Sequence, residues 1–343
     1  MIHVISIRTN GPVVFRCTLF ATRLSVASIV MLTNQYKLLI YIVFIVHTAS
    51  INPDGGSESV DEHSLTKQGP YNVVRLREND GLRDGPHYRG ATIFYPEEPS
   101  HPLASIVIVP GWSSSERSIR AWGPFLASHG MVTMTIGTNN PPRDFPEQRA
   151  AALLDAIATL RAENARDTSP IFEKLDLSRI AVGGWSMGGG GAQLAAVQDP
   201  ALKAAIGLCP WHEAPDIFEH TVPLLIIGGE KDRRAPFNEH GLVHYCTTPP
   251  ATPKLLFEVR DAGHWIANGP KGVYRDTGNG DVGRIALAWL KVFLEGDERY
   301  RKFLLAEPQS ASRFETNIQT FAVGVEDYPS RDTGSVCDTL DNR

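Results

Sequence analysis

Six short apolar runs follow one another at intervals between residues 105 and 259: SIVIVP (105–110), VTMTIG (132–137), RIAVGG (179–184), KAAIGL (203–208), PLLIIGG (223–229) and KLLFEV (254–259). Each is too continuous in its apolar character to be a strand with one wet face, so each reads as a strand buried on both faces of a parallel sheet. Helical patterns separate them: ERSIRAWGPFLASHG with a terminal Gly, PEQRAAALLDAIATLRAENA, the segment after Ser186, and, beyond the last run, GRIALAWLKVFLEG. Parallel strands need crossover helices, so this alternation predicts an α/β fold: a doubly wound, mostly parallel central sheet flanked by helices, in one domain.

Residues 183–191, GGWSMGGGG, follow the third run directly. A phosphate-binding P-loop needs a Lys, and none occurs between Gly183 and Gly191. A dinucleotide fingerprint started at Gly188 or Gly189 ends on Gln193 or Leu194 instead of Gly or Ala. The pattern G-x-S-x-G is met by Gly184, Trp185, Ser186, Met187 and Gly188, between a strand and a helix. Serine is a weak nucleophile and must project from a tight strand-to-helix turn towards a base; the flanking glycines leave room for that turn. Ser186 is therefore the expected nucleophile, and the backbone N–H of Met187 an expected oxyanion donor.

The partners of such a serine come later in the chain, acid before histidine, each after a strand. Among His212, His220, His240, His244 and His264, the base is expected at His264, just after the strand KLLFEV in the loop DAGHW. His220 precedes a strand, and His240 and His244 are four apart on one predicted helix, a spacing usual for solvated surface. The acid is expected at Asp232, in GGEKDRRAP after the preceding strand, with Asp261 as the rival; an Asp beside Gly in a short loop is more often a turn former. The second oxyanion donor is expected from the backbone N–H of Trp112, after Gly111. Trp112, Trp211 and Trp265 each stand at a strand end and predict an aromatic, substrate-binding cleft.

Charge and composition exclude other classes. The net charge is −5, and no Lys/Arg run suited to nucleic acid is present. Residues 1–50 carry Arg8, Arg16, Arg23 and Lys37 but no acidic residue. Within them LLIYIVFIV (38–46) is shorter than the ~20 residues a helix needs to cross a bilayer. Its basic flank and the small residues up to Ser50 resemble a secretory signal starting at Met31, with residues 1–30 a misassigned extension; an N-terminal anchor is the competing reading. Residues 51–68 read as a linker, 69–317 as the catalytic domain, and 318–343 as a poorly ordered tail. Cys17, Cys209, Cys246 and Cys337 match no zinc or redox spacing, and with Cys17 in the targeting region the rest cannot all pair.

Taken together, GWSMGGGG, VPGW with SIRAWGPFLASHG behind it, GLCPWH, GGEKDRRAP, GHW and AWLKVFLEGDERYRKFL resemble the bacterial cutinases and the related poly(ethylene terephthalate) hydrolases, over about residues 93–315. The resemblance implies an α/β-hydrolase fold without a large lid, with Ser186, Asp232 and His264 as triad, Trp112 and Met187 as oxyanion donors, and Trp211 stacking on substrate. It implies a secreted (extracellular or periplasmic), monomeric ester hydrolase that needs no cofactor, takes polymeric or small esters, and does not stay on a membrane once its signal is cleaved. A small-molecule carboxylesterase or lipase is the alternative with the same triad.

Four departures from the family pattern stand out. Trp112 replaces the family's usual Tyr or Phe, and Trp265 beside the base is also unusual. The loop from His264 to Trp289 is longer, and its Asp276 and Asp281 read as a polar turn rather than a calcium site. Leu305 occupies the place of the cysteine with which the family's C-terminal disulfide begins, so that bridge is expected to be missing and thermal stability reduced.

Overall fold

The computed structural model describes residues 60–321, apart from residues 100, 217 and 272–277, together with Cys337 and four short N-terminal strands. The chain divides into two units, Met1–Glu58 and Ser59–Arg343. In the first, His3–Ser6 pairs antiparallel with Phe15–Thr18, and Thr33–Asn34 with Lys37–Leu38. The apolar run 38–46 lies, beyond Leu38, outside the described residues, as does Asp276.

The second unit is built on a nine-stranded sheet. Its strands are β1 (Val73–Arg77), β2 (Ala91–Pro96), β3 (Leu103–Val109), β4 (Val132–Ile136), β5 (Leu175–Trp185), β6 (Ala204–Leu208), β7 (Leu224–Gly229), β8 (Lys254–Val259) and β9 (Ala311–Thr316). They lie in the order β9-β8-β7-β6-β5-β3-β4-β2-β1. From β4 to β8 every neighbouring pair is parallel. β1, β2 and β9 join antiparallel at the two ends. The six expected strands are the six parallel ones.

Strand side chains alternate faces, so one strand feeds two cores. In β3, Ile106 and Ile108 pack with α1 (Trp122–Ser128) and α5 (Asp281–Phe293), while Val107 and Val109 pack with α2 (Pro146–Ala165), α3 (Met187–Gln198) and α4 (Gly241–Thr247). A short helix, α6 (Lys302–Leu305), precedes β9. Helices on both faces of a mostly parallel sheet, with this strand order and a serine at the β5–α3 turn, make this an α/β-hydrolase fold.

Two boundaries differ from the sequence reading. The stretch expected as a linker already belongs to the folded unit from Val60: Glu62–Thr66 is a 3-10 helix capped by the Asp61 carboxylate, and Leu65 is buried in the core. The expected tail begins with Ile318, which is fully buried. Further along it, Cys337 is bonded to Cys246 of α4. A disulfide therefore exists, contrary to expectation. The cysteine that replaces the missing one near Leu305 lies 91 residues from Cys337 in sequence, where no local spacing signals it. Cys209 is free and buried.

Candidate active site

Every expected site residue lies beyond the carboxyl end of a parallel strand: Trp112 after β3, Ser186 after β5, Trp211 after β6, Asp232 after β7, His264 and Trp265 after β8. Parallel strands in register deliver these ends to one edge of the sheet, which is why residues as far apart in sequence as Trp112 and Trp265 can converge.

Ser186 sits at φ 60°, ψ −124°, a conformation that L-residues rarely adopt. The surrounding structure holds it there. Its N–H donates to the Leu208 carbonyl at 2.8 Å, and its own carbonyl accepts from Gly189 N (2.8 Å) and Trp211 N (2.9 Å). A side chain at Gly184 would collide with the backbone of Gly188, and one at Gly188 with the carbonyls of Val109 and Pro110. Two further glycines serve helix packing: a Cβ at Gly190 would strike the Trp211 carbonyl, and one at Gly191 would come within 2.9 Å of the Pro146 carbonyl on α2.

His264 Nε2 lies 2.9 Å from Ser186 Oγ, and its Nδ1 lies 2.6 Å from Asp232 Oδ2. All three side chains are buried beneath the cleft surface. An ionised carboxylate only accepts hydrogen bonds, so Nδ1 carries the proton and Nε2 is left to accept from the serine hydroxyl. The other Asp232 oxygen, Oδ1, accepts from the backbone N–H groups of Arg234 (2.8 Å) and Ala235 (3.0 Å), which fixes the carboxylate plane. Asp261, the rival acid, is solvent-exposed and paired with Lys231; that hydrogen bond holds its carboxyl below the usual range. Cys209 Sγ lies behind the pair, within 4.8 Å of ligand atoms of Asp232 and His264, and burial pushes its thiol well above its ordinary value.

Gly111 brings the Trp112 loop against the nucleophile: a Cβ there would come within 2.6 Å of Ser186 Cβ. Arg149, fully buried on α2, holds the approach to this loop by donating to the carbonyls of Pro110 (3.0 Å) and Pro141 (3.1 Å). Its burial lowers its pKa to about 10. Neither Trp112 N–H nor Met187 N–H has a backbone acceptor among the described residues. For Met187 this follows from its place in the first turn of α3, whose N–H groups have no intrahelical partner.

Above Ser186 opens a cleft of about 350 Å³ lined by Trp112, Trp185, Trp211, Trp265, Met187 and Arg234, among others. The structure thus brings the three expected tryptophans together. Trp112 is more than half exposed, its Nε1 donating to Pro142 O at 3.0 Å. Trp211 packs on His240, with ring centroids 5.8 Å apart. Sequence reasoning missed Trp185 and Arg234. The first was hidden as the variable position of G-x-S-x-G, the second in a turn read only for its acid.

His240 and His244 are not the solvated pair their spacing suggests. His244 is entirely buried, its ring 4.8 Å from Phe218, and His240 lies 6.5 Å from it under Trp211. Asp281, read as part of a polar turn, stands at the start of α5 and is engaged by Arg284 at 2.8 Å and by Ser310.

A parallel-core sheet with Ser, His and Asp at adjoining strand ends places the chain among the α/β-hydrolases. Comparison narrows this. The family model for PETase, described as PET hydrolase-like, matches residues 52–321. A cutinase, est1, of Thermobifida alba is 37% identical over 260 residues, covering 76% of this chain and 83% of its own. Cutinase 1 of Thermobifida cellulosilytica is 36% identical over 259 residues, 75% of this chain and 93% of its own. A bis(hydroxyethyl) terephthalate hydrolase of Streptomyces coelicolor is 33% identical over 269 residues, 78% and 82% of the two chains. The chain belongs to the PET hydrolase-like family. It is a carboxylic ester hydrolase.

Proposed function

We propose that the protein is a secreted serine hydrolase that cleaves the ester bonds of cutin-like or terephthalate-type polyesters through an acyl-enzyme on Ser186. The observation that carries this reading is the unbroken chain of contacts from Asp232 through His264 to Ser186 beneath a cleft walled by tryptophans.

His264 takes the Ser186 proton as Oγ attacks the ester carbonyl, and Asp232 stabilises the imidazolium without taking the proton itself. The backbone N–H groups of Trp112 and Met187 receive the oxyanion, and the N-terminal end of α3 adds its dipole. His264 then protonates the departing alcohol. A water activated by the same imidazole attacks the acyl carbonyl and frees the acid. Trp211 and Trp112 offer flat apolar faces suited to an aromatic or aliphatic polymer segment. Residues 31–50 support export by their basic flank, short apolar core and small residues; no helix among the described residues is long and apolar enough to cross a membrane.

The test compares soluble product released from aliphatic and aromatic polyester films and from cutin with hydrolysis of short p-nitrophenyl esters and long-chain triglyceride. Release from polymer is the expected result. Turnover confined to the small esters or to triglyceride would move the protein to the carboxylesterases or lipases.

A further inference from the structure

Trp185 precedes the nucleophile as the last residue of β5, and its side chain reaches across to the base. The indole Nε1–H donates to the backbone carbonyl of His264 at 2.9 Å, a buried bond between residues 79 apart in sequence. The same ring lies against the His264 imidazole with centroids 5.0 Å apart, and Trp265 packs on it at 4.7 Å. Trp185 is 2% exposed, so water does not compete for the bond.

The loop after β8 has other hydrogen-bonded anchors, but among the described residues none of them is at the backbone of His264 itself. Lys231 N donates to Ala262 O (2.7 Å), Ile266 N to Gly263 O (3.1 Å), and Trp122 Nε1 to Ala267 O (3.2 Å). Asp232 fixes the imidazole through Nδ1 only. A side chain held at its tip alone can still swing with its backbone, and a proton transfer over 2.9 Å tolerates little of that. Trp185 supplies the second fixed point, from the strand that carries the nucleophile.

We propose that Trp185 is a positioning residue for the base: its N–H and ring couple the end of β5 to the loop after β8 and so set the distance from Ser186 to His264. This rests on the reading of Ser186, His264 and Asp232 as the catalytic triad. The competing accounts are that Trp185 only walls the cleft or only fills the core.

The test measures the rate at which a small fluorophosphonate labels Ser186, and kcat and KM for p-nitrophenyl acetate, in the wild type, Trp185→Phe and Trp185→His. Phenylalanine keeps a flat ring and loses the donor, while histidine keeps a ring N–H. Labelling and kcat are expected to fall about tenfold in Trp185→Phe, with KM changed less than about twofold, and to recover in part in Trp185→His. The downfield proton resonance of the imidazole Nδ1–H, sharp in the wild type, is expected to broaden in Trp185→Phe. Labelling of Trp185→Phe at the wild-type rate, equal losses in both variants, or an effect confined to KM would each overturn the proposal. Thermal melts identify a variant that has not folded, and the other then decides: a slowed Phe variant or a near-wild-type His variant supports the coupling, and the reverse rejects it. A wild-type protein that fails to label would instead overturn the proposed function, and this inference with it.

Discussion

At the scale of single residues, the two candidate acids separate by their surroundings. Asp232 accepts from two backbone N–H groups and the imidazole, while Asp261 stands in water against Lys231. Asp232→Asn should lower kcat by about 10⁴-fold, because an amide facing Nδ1 favours the wrong tautomer. Asp261→Asn should leave kcat within about twofold, since exposed ion pairs contribute little. Steady-state kinetics on a soluble ester distinguish the two; a reversal of the effects would reassign the acid. That Ser186, His264 and Asp232 come together was legible in the sequence because each follows a strand whose apolar run is unmistakable, and strand ends meet along one edge. Trp185 was not, since a motif written with an x conceals whatever occupies it. The burial of His244 was not either: a four-residue spacing on a helix says that two side chains share a face, but not whether that face is wet.

At the scale of elements, α2 and α3 pack closely on each other beside the Trp112 loop, proposed to carry the second oxyanion donor. Arg149 reaches from α2 to the carbonyls of Pro110 and Pro141, just before and across from Trp112. Arg149→Met keeps much of the apolar stem but strands the buried Pro110 carbonyl and leaves that of Pro141 with Ser113 N–H alone, and should cost about 1–3 kcal/mol of stability. It should also lower kcat more than it raises KM, because the Trp112 N–H loses its support. Urea unfolding and steady-state kinetics check both; a stable variant with full kcat would contradict the assignment. The parallel strands were read from their apolar runs, whereas β1 and β9 escaped. VVRLR and ASRFET are half-exposed and carry charges, as edge strands do, and their pattern offers no long apolar run. β2, ATIFYP, is buried throughout, and its terminal proline hid it.

At the scale of the whole molecule, two features govern stability. The Cys246–Cys337 bridge ties the last described residue of the chain to α4. Closing a loop of 91 residues restricts the unfolded chain by about 4–5 kcal/mol in the chain-entropy account. Reduction, or Cys337→Ser, should therefore lower the melting temperature by about 10 °C in a domain of this size; an unchanged melt under reductant would show the bridge to be unimportant. The second feature is buried histidine. Burial lowers the pKa of His220 to about 4, and likewise lowers His129, His240 and, most strongly, His244. Each stays neutral in the fold while the unfolded chain takes up protons below about pH 6.5, so stability is full above that value and declines as pH falls towards 4. Melts at pH 7.5 and 4.5 should show the lower temperature in acid, and equal values would contradict this. The general architecture was legible because alternation of strands and helices is a local signal. The disulfide and the ordered ends near Leu65 and Ile318 depend on contacts distant in sequence, which no local pattern carries.

The central claim is that esters are cleaved through an acyl group on Ser186. Acid-quenching the protein during turnover of a p-nitrophenyl ester and mapping its peptides by mass spectrometry tests this directly. The acyl mass is expected on the peptide containing Ser186, and Ser186→Ala should abolish both the adduct and, to about one part in 10³ or below, the turnover. An adduct on another residue, such as Ser114 in the same cleft, or undiminished turnover by Ser186→Ala, would contradict it.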